Sequence, residues 1–229
     1  PKSDPVRYLK AFDLKTGKLK WRYTTDLVVT WLNYSREHDV LMAANKKGMV
    51  AYRGRDGSEL WKKYTEGKGF AGHPESYWDR VIVSGNRVID QRGPGKAYNI
   101  LTGEPAMRTD PITGKKIPWE FTKSGHHCNY AIASPHLVTF RAASAGFTDI
   151  ASGNTSRLQG FRSGCRNSLI PANGVLNSPN FAHGCSCGYS LFTSLAFTHL
   201  PQAEMWSYSA LKAPDAVVKR LGINLGAPG

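Results

Sequence analysis

The chain has 229 residues, enough to bury a sizeable core, and its 41% hydrophobic and 11% aromatic content is that of a globular protein. It holds no apolar run of the length a membrane-spanning helix needs, so no membrane span is expected. Its 30 Lys and Arg outnumber its 17 Asp and Glu for a net charge of +13, which suits an anionic partner.

The cations are scattered and no nucleic-acid motif is present. A solvated basic surface is therefore the plainer reading, and nucleic acid is not an expected partner. Lysines on edge strands also discourage edge-to-edge pairing.

Residues 11–21 read AFDLKTGKLKW, and residues 51–61 read AYRGRDGSELW. A weaker copy, AYNILTG, covers 97–103. Gly17, Gly57 and Gly103 share one slot, spaced on the order of forty residues apart, and Trp21 and Trp61 close the first two copies. Each copy reads as a strand, a polar turn in which glycine supplies positive φ, and a second strand carrying an indole. Repetition at this period predicts four-stranded antiparallel blades arranged radially, an all-β propeller.

Between the copies, Val28–Leu32, Val40–Ala43 and Met49–Tyr52 read as strands, with a turn over 45–48. The next blade is expected from Tyr77-Trp78, Val81–Ser84, Arg87–Asp90 and Ala97–Asn99, with a tight turn at Gly85. Residues 104–125 form an insertion with their own Thr113-Gly114 turn. Met107 stands in the tryptophan slot of the third copy, and Trp119 follows the inserted turn. Another blade is expected from Tyr130–Ala133, Leu137–Arg141 and Gly146–Ile150, followed by a loop over 151–167. Leu169–Ile170, Gly174–Leu176 and Leu195–Thr198 are the last strand candidates. Near the end, Pro214 before and Gly222 after frame one short helix over Ala216–Leu221.

The phrase Ala11, Asp13, Thr16, Gly17, Trp21 resembles the tryptophan-docking repeat of the PQQ-like β-propeller family, which includes quinoprotein alcohol dehydrogenases. The second copy departs from it with Arg53 for Asp and Asp56 for Thr. The segment GFRSGCRNSLIPANGVLNSPN…CSCGYS…TSLAF resembles the last blades of large propeller proteins exported by some bacteria. The resemblance implies regular repeats over 1–121, cysteine-rich degenerate blades over 122–208 and a linker with the short helix over 209–229. It implies a periplasmic or otherwise extracytoplasmic location. With about four or five blades at this period, the propeller is expected to be completed by further sequence of the same polypeptide or by a neighbouring chain.

In a fold of that location, an even number of cysteines favours disulfides among Cys128, Cys165, Cys185 and Cys187. A Cys185–Cys187 bridge would close a strained ring. The pairs Cys165–Cys185 and Cys128–Cys187 are favoured among the rest. Metal ligation by His126, His127, Cys128, His183 and Cys187 is one alternative, but the spacing fits no common zinc pattern, so no metal is assigned, and free thiols are the other. Arg141, Arg162 and Arg166, with His126 and His127, are the candidate ligand residues, because an arginine lining a propeller funnel can clamp a carboxylate or phosphate. Bonding to loop carbonyls is the plainer alternative for these arginines.

No catalytic constellation is legible. A binding or scaffold module is the leading functional reading, with no cofactor expected. The resemblance adds a PQQ- and calcium-dependent oxidoreductase as an alternative, although the adjacent Cys-Cys pair that quinone-binding members use is missing. The propeller part of a polysaccharide-active enzyme is the third reading.

Overall fold

The computed structural model describes residues 7–45, 47–64, 80–91, 95–110, 112–123, 128–180, 193–200 and 202. These form strands and turns, with no helix among them. The strand expected at Tyr77-Trp78, the helix at Ala216–Leu221 and the linker over 209–229 lie outside the described residues.

The strands form antiparallel sheets taken in chain order. β1 (Arg7–Phe12) pairs with β2 (Leu19–Thr25). β3 (Trp31–Ser35), β4 (Val40–Asn45), β5 (Gly48–Arg53) and β6 (Glu59–Tyr64) make a four-stranded meander. In the third sheet, β7 (Ile82–Ser84), β8 (Arg87–Asp90) and β9 (Gly95–Asn99) are followed by a detour. That detour is a separate hairpin of β10 (Met107–Thr109) and β11 (Lys116–Pro118), after which β12 (Glu120–Phe121) pairs with β9. The fourth sheet is β13 (Ile132–Ala133), β14 (Leu137–Ala142), β15 (Ser144–Asp149) and β16 (Thr155–Leu158). The fifth contains β17 (Ile170–Ala172), β18 (Val175–Ser178) and β19 (Leu195–Thr198).

Strand periodicity explains the stacking. Successive side chains of a strand point to opposite faces. In β4, Ala43 faces the core shared with Leu9 and Leu27, whereas Met42 and Ala44 face the core shared with Val81, Val88 and Ile100. In β8, Val88 joins that second core, and Ile89 joins a third with Val138, Phe140 and Ala142. β4 and β8 are thus apolar on both faces because each is sandwiched between two sheets. Of the first strands, β7 lies against both β3 and β13, as innermost strands of neighbouring blades do. The described chain is therefore a series of β-propeller blades.

Two expectations need correction. The loop expected over 151–167 contains β16, which pairs with β15 from Ala145↔Leu158 to Thr148↔Thr155. Its side chains are all exposed, so it has no apolar alternation to reveal it. Met107 does not take the tryptophan slot. It sits on the inserted hairpin, 45% exposed, and Trp119 takes that role after the detour.

Candidate functional site

The repeated phrase forms a joint between blades. In the first copy, the Gly17 amide donates to the Asp13 carbonyl at 2.8 Å, and the Asp13 amide donates to the Lys18 carbonyl at 2.8 Å. The same pair of bonds closes the turns over 53–58, 99–104, 110–115 and 149–154. The Asp13 carboxylate accepts the amides of Lys15 and Thr16 and the Thr16 hydroxyl. These bonds, led by the Thr16 amide, hold Asp13 below its ordinary carboxylate range. Asp110 and Asp149 are lowered in the same way, led by the amides of Thr113 and Ser152. Asn99 fills this position in the third copy, where its side-chain oxygen accepts the Leu101 and Thr102 amides.

Each docking indole then reaches into the turn of the following blade. Trp21 Nε1 donates to the Gly54 carbonyl at 2.8 Å, Trp61 Nε1 to Ile100 at 2.9 Å and Trp119 Nε1 to Ile150 at 2.9 Å. The acceptor lies three residues before the turn glycine each time. A Cβ on Gly57 would come within 2.6 Å of the Trp21 ring, and one on Gly103 within 2.7 Å of the Trp61 ring. The slots therefore need glycine twice over, for the positive φ and for the indole. Gly17 shares the conformation but has no atom near its missing Cβ.

The inner ends of the blades meet in a second constellation, at the starts of β3, β7 and β13. The Arg80 guanidinium lies 3.6 Å from the Tyr130 ring centre and 4.6 Å from the Trp31 ring centre. Trp31 Nε1 donates to the Val81 carbonyl at 3.1 Å. Gln91 ties the approaches to β7 and β13, its amide nitrogen donating to the carbonyls of Arg80 and Ala131 and its oxygen accepting the Ala131 amide at 2.9 Å. Lys123 Nζ also donates to the Gln91 oxygen, at 3.3 Å, and burial pushes Lys123 down to about 7.

Of the predicted ligand arginines, Arg141 and Arg162 are buried and Arg166 is exposed. Arg141, on β14, donates from its guanidinium to Cys165 Sγ at 3.2 Å. Arg162 donates to the Ser163 carbonyl at 3.2 Å, the loop-carbonyl role offered above as its alternative. Arg166 has φ 65° and donates its amide to the Cys128 carbonyl at 2.7 Å. The buried Asn129 binds this loop to β14, accepting the Arg141 amide and donating to Ser163 Oγ and the Asn167 carbonyl. Arg141, Cys165 and Cys128 are thus brought to one place, while His126, His127, Cys185 and Cys187 lie outside the described residues. An open cavity of about 260 Å³ lined by Asn86, Arg87, Asn99 and Glu104 involves none of the predicted site residues.

Reading the chain by itself misses Arg80, Gln91 and Asn129, which act between strands far apart in sequence. It also misses the turn at 149–154. Asp149, Ser152 and Gly153 match the phrase with Ser in place of Thr, and that was the available signal. Calcium needs several oxygen ligands. Among the described residues no three His, Cys, Asp or Glu side chains converge.

No family model and no curated protein matches this chain. Solved structures similar to it include BamB from Moraxella catarrhalis, at 17% identity and a TM-score of 0.45 over 71% of this chain and 47% of that one. The computationally designed Ika4 protein is similar at 16% identity and a TM-score of 0.47, over 76% of this chain and 92% of that one. The designed Ika8 protein is similar at 17% identity and a TM-score of 0.48, over 74% and 48%. The chain spans about half the length of the BamB chain.

Proposed function

We propose that this chain is the non-catalytic binding and scaffold portion of an extracytoplasmic PQQ-like β-propeller protein. Its loops and central funnel are offered to an anionic ligand or partner. The observation that supports this most is the use made of the repeated phrase. Trp21, Trp61 and Trp119 each donate to a backbone carbonyl of the following blade, so the residues that resemble quinoprotein sequence hold the scaffold together. Packing of this kind carries no cofactor by itself. Arg80, held against the Tyr130 and Trp31 rings near the starts of the innermost strands, is the cation this reading assigns to the ligand.

The test is thermal unfolding in sulfate or inorganic phosphate against chloride at matched ionic strength. A saturable rise in Tm specific to the divalent oxyanions is expected. Equal rises in all three salts would contradict an anion site and reduce the basic surface to general screening.

A further inference from the structure

The loop over 162–168 and the segment over 128–131 are bound together by four hydrogen bonds. Arg166 N donates to Cys128 O at 2.7 Å, and Ser168 Oγ donates to Tyr130 O at 2.8 Å. Asn129 Nδ2 donates to Ser163 Oγ at 3.2 Å and to Asn167 O at 3.1 Å. The first of these sets a limit on the two cysteines. Adding about 2.4 Å across each peptide unit to that bond places their Cα atoms within roughly 7.5 Å, against about 4.4–6.8 Å in disulfides. Both cysteines are half-buried and are not bridged to each other. Among the described residues, Cys165 Sγ accepts from the guanidinium of the buried Arg141 at 3.2 Å. A fixed cation beside a sulfur favours the thiolate, which is the nucleophilic form.

We propose that Cys165 and Cys128 form a redox pair, with Cys165 as the attacking thiol positioned by Arg141 and Cys128 as the resolving thiol. This differs from the pairing of each with Cys185 or Cys187 expected above, and it does not depend on the anion reading of the funnel.

The oxidant is a small-molecule disulfide. The Cys165 thiolate attacks one of its sulfurs, breaks the S–S bond and expels one thiolate, leaving a mixed disulfide on Cys165. Cys128 then loses its proton and attacks the Cys165 sulfur, which forms the internal bond and expels the second thiolate. The protein loses two electrons and two protons, and the oxidant gains both as two thiols. The new bond would lock the 162–168 loop onto the segment that leads into β13.

The experiment uses the full chain, reduced under native conditions with a phosphine and desalted. Iodoacetamide labelling across pH, read by peptide mass spectrometry, is expected to modify Cys165 about tenfold faster than Cys128 near neutral pH. Oxidation with glutathione disulfide followed by digestion without reductant is expected to give a peptide cross-linked through Cys128 and Cys165. Cross-links to Cys185 or Cys187 instead would overturn the proposal. So would labelling of Cys165 no faster than that of Cys128.

Discussion

The Trp119 indole nitrogen donates to the Ile150 carbonyl at 2.9 Å across a separation of 31 residues. Trp119 is 1% exposed, and Phe121 follows it into the same core, 5.8 Å from its ring centre. Of the three docking tryptophans it is the most buried. Trp119→Phe removes the donor from a buried carbonyl, a loss of about 1–3 kcal/mol. Trp21→Phe, at a half-buried joint, is expected to cost less. Urea unfolding midpoints of the two variants check the order.

The turn glycines make a second comparison. Gly17 and Gly57 have φ of 68° and 74°, yet only Gly57 lies under an indole. Gly17→Ala is expected to cost about 1–2 kcal/mol for the left-handed conformation alone. Gly57→Ala is expected to cost several kcal/mol, because Trp21 must also leave its slot. Similar losses for both variants would count against the docking geometry.

Gln91 is 1% exposed and bonds both the Arg80 and Ala131 backbones. Gln91→Leu keeps the volume but leaves those buried groups unmatched. A loss of about 3 kcal/mol is expected by chemical denaturation. Faster amide exchange at Ala131 would localise the effect.

Lys123 gives a pH dependence whose sign is fixed. Folded Lys123 gives up its proton near 7, whereas an unfolded lysine keeps it to about 10.4. Between these values the unfolded chain binds more protons, so stability rises with pH. The rise is a few kcal/mol, at about 1.4 kcal/mol per pKa unit. Tyr64 acts in the opposite sense above about 10. Burial and its bond to Asp26 push it up to about 12, so stability falls there as pH rises. Urea midpoints from pH 7 to about 9.5 should climb in the parent and stay nearly flat in Lys123→Met.

The blades were legible because their signals are local. A turn closed within six residues, a glycine and an indole four residues later recur in order in the first two copies. Trp119 was harder to place because β10 and β11 intervene between its strand and the Gly103 turn. The turn at Asp149 was harder still, since no tryptophan follows it and β16 is exposed throughout. Arg141 and Arg162 are buried, which no short-range pattern in the sequence shows. The Arg80 clamp exists only when three innermost strands meet, so it left no local trace at all.

The tryptophan phrase builds joints between blades, and the proposed function assigns it no quinone. Equilibrium dialysis of the full chain against PQQ with calcium, followed by gel filtration, tests it most directly. The account predicts that no quinone absorbance elutes with the protein and that no dye-linked alcohol oxidation develops. Stoichiometric quinone retained through the column would contradict it.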